Sequence, residues 1–328
     1  MSNPYISFII PTICSRSNIF DIINDVTKLS NFQYEIVISY YQKSDSDKII
    51  CNKLKSINNG MIKIKESKSS SIGANRNSGA RYATGKFLCF IDDDITMDSS
   101  FFSYIDRFAL DENSVYFPEI RNEIHLPYPL GDHVGGKSYV SACFIIGRKQ
   151  FADIGYMNET LNIYREDSEL FIRCKKNGMT LMFMDNAFVN HPVRFIKWKT
   201  FKTIFMKNEY EPLFNRITSG NYYGVLTRNL YSTLPDQYGF SIVFYFFLFF
   251  LTIVILGLIL NLYILIFLIL SYAIFSVSIT SLFIHLNRKI LRIKILKNLS
   301  IVSIYLLLMP ILFVSRTIGS IKYKHFTI

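Results

Sequence analysis

Three adjacent carboxylates, Asp92, Asp93 and Asp94, follow directly on the apolar run Lys86–Ile91. Like charges this close repel, and beside a buried strand they raise one another's pKa or weaken the fold unless a cation compensates. Hard oxygen donors suit Mg2+ or Mn2+, which keep part of their water shell and bridge to substrate phosphates instead of filling a closed protein cage. The same three residues also fit a solvated acidic turn or a helix cap. A second acidic pair, Glu166-Asp167, opens a helix-compatible stretch that closes at Gly178. Free N–H groups at a helix start hold a carboxylate and aim it into a cleft, although two acids there also make an ordinary N-cap and first turn. His191, just before Pro192, is a third candidate, either a metal or diphosphate ligand or a structural imidazole.

These residues need elements to position them. The short apolar run Tyr5–Ile10, stopped by Pro11, and the run Tyr34–Ser39 read as strands, with a helix over Asn18–Leu29 between them. Met61–Lys65 reads as a third strand, Ala74–Thr84 as a helix, and Lys86–Ile91 as the strand that delivers the three acids. Leu181–Met184 reads as a later strand. Alternation of this kind predicts an α/β domain with parallel strands whose ligands sit at their carboxyl ends.

The stretch Gly73–Ile95 resembles the approach to the metal-binding Asp-x-Asp motif of family 2 glycosyltransferases, which have the GT-A fold. Its parts are Arg76, Asn77 and Gly79, then the Ala83 to Gly85 turn, then Asp92 and Asp94 around a variable Asp93. Tyr164–Gly178 is similar to the family's Glu-Asp block, and Ala187–Pro192 to its closing strand with a terminal His. Ser141–Glu159, with Arg148, Phe151, Gly155 and Glu159, resembles the segment that lines the acceptor side. The resemblance covers about residues 5–195 and rests on three short motifs in the expected order. It implies a Rossmann-like GT-A nucleotide-sugar-binding domain, with Asp167 as catalytic base and Glu166 beside it. It further implies a donor site formed by Pro11, Thr12, Ser39, Arg76, Asn77, Asp92 and Asp93, and a Mg2+ or Mn2+ ion held by Asp92, Asp94 and His191. Metal-assisted departure of the diphosphate and general-base removal of the acceptor proton then give inversion at the sugar.

The chain departs from the family in two places. Cys14 stands where Asp or Asn is usual, and Ser39–Asp47 replaces the acidic segment that helps hold the nucleobase, leaving the donor base open. The Gln-x-x-Arg-Trp motif of processive synthases is missing, since the one Trp, Trp198, follows Lys197, and a single transfer is therefore expected. A nucleotidyltransferase can share such a fold and its paired acids, but Pro11–Ser17 lacks glycine for a triphosphate loop. A non-catalytic sugar-binding scaffold is the other alternative, opposed by the intact Asp92, Asp94 and Asp167.

Composition adds a second region. Of 328 residues half are hydrophobic, yet none from Gln237 to Ile284 is charged, long enough for two membrane crossings of about 20 residues with a turn near Gly257–Tyr263. Leu299–Val314 offers a third if Arg316 snorkels and the helix continues to Ile321. The net charge of +11 gathers beside apolar segments, which points to membrane lipids and away from nucleic acid. Arg194–Lys207 interleaves basic and aromatic residues as an interfacial helix does, and the basic loop Arg288–Lys297 belongs on the cytoplasmic side. The run Tyr5–Ile10 is too brief for a signal peptide. The expected organisation is a catalytic domain over 1–193, interface helices over 194–236 and a helical membrane region over 237–328. The whole forms a multi-pass inner-membrane protein with its catalytic domain in the cytoplasm and a lipid-linked or glycan acceptor. Five cysteines without paired spacing are expected to be reduced.

Overall fold

A computed structural model describes residues 5–15, 18–27, 33–42, 48–121, 137–161, 164–192, 205–207, 209–219, 314–325 and scattered positions between 251 and 270. The first compact unit holds one eight-stranded sheet. In chain order its elements are β1 (Ile6–Thr12), α1 (Ile19–Thr27), β2 (Tyr34–Tyr40), α2 (Lys48–Ser56), β3 (Ile62–Glu66), α3 (Ile72–Tyr82), β4 (Phe87–Ile91), β5 (Thr96–Met97) and α4 (Ser99–Arg107). They continue with β6 (Ser114–Arg121), β7 (Cys143–Gly147), α5 (Arg148–Asp153), α6 (Glu166–Lys176) and β8 (Thr180–Asn190). The sheet order is β3-β2-β1-β4-β7-β6-β8-β5. β3, β2, β1 and β4 run parallel, β7 is antiparallel to both β4 and β6, and β8 runs parallel to β6.

Period-two alternation sends the two faces of each strand into different cores. Ile6, Phe8 and Ile10 pack with α1 and α2, whereas Ile9, Val37 and Phe90 pack against the α3, α5 and α6 side. Helix α3 lies close to β1 and β2 because its contact face is small. A Cβ on Gly79 would stand 2.6 Å from Ile9 Cγ2 and 3.1 Å from Ser39 Oγ. This close approach lowers Arg76 into the interior at the carboxyl ends of the strands.

Strand β1 does not stop at Pro11 as expected but runs through it to Thr12, with Pro11 opposite Ser39. Thr12 O accepts from Tyr41 N on the β2 side, so Pro11 turns its nitrogen the other way, where pairing with β4 has already ended at Ile9. No ladder bond is lost there, which is what proline requires of a strand. The first late strand segment, Leu181–Met184, and Ala187–Asn190 of the second are one strand, β8, which ends before His191 and Pro192. Its register against β6 shifts between Phe117 and Glu119, and Asn186 takes φ +58° in the bulge this creates.

The cysteine expectation is corrected. Cys14 and Cys51 form a disulfide with Cα atoms 5.8 Å apart, and Cys89, Cys143 and Cys174 are buried free thiols. The bridge joins the chain after β1 to α2, a proximity made by the fold across 37 residues and invisible in spacing. Apart from scattered positions between 251 and 270 and Val314, the predicted crossings in Gln237–Ile284 and Leu299–Val314 lie outside the described residues, as does most of the interfacial helix Arg194–Lys207. Among the described residues no helix is long and apolar enough to cross a membrane.

The amino end of the sheet is closed by a buried carboxylate. Glu35 Oε1 accepts from Ser7 Oγ at 2.5 Å, Thr84 N at 2.6 Å, Thr84 Oγ1 at 3.0 Å and Gly85 N at 3.2 Å, while Oε2 pairs with Lys63. Gly85 fits because a Cβ there would meet the backbone of Ile6 and Ser7 inside 3.0 Å. Burial pushes the Glu35 carboxyl up, but its bonds to Lys63, Ser7 and Thr84 outweigh burial and leave it below the usual carboxylate range. A depressed carboxylate contributes stability that is full above its unfolded pKa and lost as pH falls through its folded one. Glu35→Ala, which strands these donors, is expected to cost about 3 kcal/mol, read from thermal unfolding near neutral pH. The gap between the wild type and Glu35→Gln narrows as pH drops below about 4.

Candidate active site

Five carboxylates and one guanidinium gather where β4 ends and α6 begins. Arg76, 1 % exposed, directs one nitrogen to Asp92 Oδ1 at 2.5 Å and another to Glu166 Oε1 at 3.3 Å. It also donates to the carbonyl of Ser141 at 3.2 Å. Burial pushes the Arg76 pKa down, and Asp92 and Glu166 more than restore it, so the group is a permanent internal cation. Burial in turn raises Asp92 against the pull of Arg76, with Asp94 adding to the rise. Glu166 is pushed up to about 7 by burial and by its neighbour Asp167, again against Arg76. The Asp92 side chain is 29 % exposed against 11 % for Glu166, so it is the more accessible of the pair.

Each remaining acid has its own support. Thr12 Oγ1 donates to Asp93 Oδ2 at 2.7 Å and accepts from Cys14 N at 3.0 Å, tying the end of β1 to the middle acid. Cys14 sits at φ +59° in this turn. Asp94 is buried beside His191, with Nε2 3.6 Å from Oδ1. The imidazole is held from its other side, Nδ1 lying 3.0 Å from the Pro192 carbonyl oxygen. Asp167 is half-buried at the first turn of α6. Its Oδ1 accepts from Ser168 N at 2.6 Å and its Oδ2 from Ser141 N at 3.3 Å. Arg165, at φ +69°, makes the sharp entry to α6, at which Glu166 is buried and Asp167 stays half-buried. Helix α6 is anchored by Arg173, which forks onto Glu169 and donates to the carbonyls of Ile154 and Tyr156.

The site residues read from sequence thus separate into groups. Asp92, Glu166 and Arg76 form one bonded cluster, Thr12 and Asp93 a second, and Asp94 and His191 a third, all at the same end of the sheet. Asp167 joins the first cluster through the Ser141 peptide, whose N–H serves Asp167 and whose carbonyl serves Arg76. Arg76, expected to line the donor cleft, is instead fully inside and bonded to two acids. Asn77 is buried as well. Its amide exchanges bonds with the Met157 backbone at 2.9 Å in each direction and reaches Glu159 at 2.8 Å, so it brackets the 157–159 turn. Pro11 and Ser39 are paired strand residues, and Ser39 is buried beneath α3. Ser141 and Asn75 were not singled out by residue type. Asn75 donates to Thr12 O at 3.0 Å, and both matter through backbone contacts that sequence does not display.

No three His, Cys, Asp or Glu side chains among the described residues gather closely enough to hold an ion alone. The oxygen and nitrogen donors of Asp94 and His191 do fit a divalent cation that completes its shell with phosphate oxygens and water. Asp92 is less suited, because its Oδ1 is committed to Arg76.

Residues 7–168 match the family described as Glycosyl transferase family 2. None of the curated proteins matches the sequence. Among solved structures, TarS 1–349 of S. aureus is 17 % identical with TM-score 0.45, the match covering 74 % of this chain and 80 % of that one. The same TarS fragment in complex with UDP-GlcNAc gives 16 % identity, TM-score 0.44 and the same coverage. The mannosyltransferase PcManGT from Pyrobaculum calidifontis, in complex with GDP-Man and Mn2+, is 12 % identical with TM-score 0.46, covering 68 % of this chain and 70 % of that one. The match, just under half of the chain, begins in β1 and ends in the first turn of α6, so the segment that is similar to glycosyltransferase family 2 takes in Asp92, Asp93, Asp94, Glu166 and Asp167.

Proposed function

We propose that the chain is an inverting, divalent-metal-dependent glycosyltransferase that moves one hexosyl unit from a nucleotide sugar to a lipid-linked or glycan acceptor. In this reading it works at the cytoplasmic face of a cell membrane, in cell-surface glycan synthesis. One observation carries the reading: a cation-binding pair, Asp94 and His191, and a backbone-held carboxylate, Asp167, lie at the same end of one sheet, with Arg76 bonded to the acids between them.

Asp167 receives two backbone N–H bonds, which fix its carboxylate at the first turn of α6. It takes the proton of the acceptor hydroxyl as that oxygen bonds to the anomeric carbon, on the face opposite the departing diphosphate. Attack from that side inverts the sugar. Arg76 keeps Asp92 and Glu166 from repelling one another while Asp92 presents its exposed edge to the donor. Asp93, held by Thr12, fixes the turn that brings Asp94 to His191. A Mg2+ or Mn2+ ion on Asp94 and His191 would supply Lewis-acid stabilisation of the diphosphate.

The membrane part of the proposal rests on the uncharged run Gln237–Ile284 and on the basic segments Arg194–Lys207 and Arg288–Lys297, each cation near an anionic surface contributing about 1 kcal/mol. The unmatched base-binding segment leaves the nucleotide open, so the first assay is hydrolysis of a panel of nucleotide sugars by the full chain.

With the best donor, Asp167→Asn is expected to lower kcat by about a hundredfold or more while donor affinity stays near wild type, the mark of a lost general base. Equal kcat with weakened donor binding would move Asp167 to a binding role. Asp94→Asn should abolish metal-stimulated turnover and remove the Mn2+-dependent rise in donor affinity, measured by calorimetry with and without chelator. Undiminished turnover after exhaustive chelation would exclude the metal.

A further inference from the structure

The bridge between Cys14 and Cys51 ends where the candidate site begins. Cys14 follows Thr12 by two residues, and its N–H donates to Thr12 Oγ1 at 3.0 Å while the same hydroxyl donates to Asp93 Oδ2 at 2.7 Å. The Thr12 carbonyl accepts from the Asn75 side chain on α3 and from Tyr41 N, each at 3.0 Å. Thr12 thus joins the tip of β1 to α3, to the chain after β2 and to the middle acid. The turn that allows this is left-handed at Cys14, with φ +59°. A residue with a β-carbon keeps that conformation only where its surroundings impose it.

The sulfur bridge is part of what imposes it. Cys14 and Cys51 are both wholly buried. Cys51 and Leu54 are the residues that α2 buries, so the bridge supplies one of that helix's two deep anchors. In the cytoplasmic placement proposed above, such a bond meets a reducing thiol pool, and the disulfides found there are as a rule transient and redox-sensing.

We infer that the Cys14 to Cys51 bridge is a redox latch on the tip of β1. Closed, it holds the turn in which Thr12 bonds Asp93. Open, it frees α2 and lets the turn relax, and the middle acid loses its hydroxyl partner. Opening consumes a dithiol: one thiolate attacks a sulfur of the bridge, and the second thiol resolves the mixed disulfide. The two electrons and two protons delivered leave two cysteine thiols on the chain and one disulfide on the reductant. Because both cysteines are buried, attack requires local release of α2, an opening far short of unfolding. The inference rests on the reading above for its compartment and for its effect on turnover, and on the structure alone for the contact it controls.

The test compares the full chain in its bridged form with the same chain reduced by dithiothreitol, using amide hydrogen exchange and hydrolysis of UDP-GlcNAc and GDP-mannose. Reduction should speed exchange over residues 12–15 and 48–56 while residues 6–10 and 87–91 stay protected. Hydrolysis should fall about tenfold, the equivalent of one lost hydrogen bond to a charged group, and return on reoxidation with oxidised glutathione. Cys51→Ala should match the reduced chain and ignore dithiothreitol, which separates the latch from the three free thiols. Acid quenching and differential alkylation of growing cells should find the pair in both states. Exchange over 12–15, or measurable hydrolysis, that ignores reduction makes the bridge a staple across its 37-residue separation and overturns the inference, leaving the reading of function intact. A pair that stays fully bridged in cells, and that dithiothreitol opens only on global unfolding, overturns it as well. A chain that hydrolyses no nucleotide sugar in either state overturns the reading of function, while its exchange pattern still decides the latch.

Discussion

A guanidinium buried among carboxylates is the constraint on which the carboxyl end of this sheet depends. Asp92 and Glu166 come from strand and helix elements far apart in sequence, and desolvation alone would drive both toward neutrality. Arg76 resolves this with a planar fork that serves two acids and a carbonyl at once, a task for which Lys lacks the geometry. Such an arrangement is a weak source of net stability, since the attraction largely offsets the desolvation it requires. Its value is positional. Breaking it would leave uncompensated charge inside the fold, which costs about 3 to 5 kcal/mol in comparable settings.

The cluster depends in turn on the close seating of α3. Gly79 lets the helix touch Ile9 and Ser39, and the turn through Gly85 is fixed by Glu35 at the far end of the same helix. One buried acid therefore sets the lower end of α3, and its small contact face sets the upper end. The depth of Arg76 follows from both.

Much of this was legible in the sequence, and the limits have physical causes. Apolar runs announced β1, β2 and β4, and the acids after Ile91 were conspicuous because no ordinary strand end needs three carboxylates. Strands β6 and β7 were harder. β7 has only five residues between loops, and Pro118 interrupts β6 where its register against β8 shifts. The burial and bonding of Arg76 and Asn77 were not legible for a different reason. Residue type says that an arginine can bind phosphate, but only the fold reveals that an acid 90 residues away has already claimed it. The Cys14 to Cys51 bridge was hidden in the same manner, by a contact between segments with no shared pattern.

The lock around Glu35 has a mechanical consequence. It joins β1, β2, β3 and the α3 to β4 turn at one edge of the sheet, while every group with chemical potential stands at the other. The sheet is in effect a cantilever, rigid at its root and loaded at its tip. Changes at the tip need not loosen the root, so the carboxyl ends of the strands and the stability of the fold are separable in this unit.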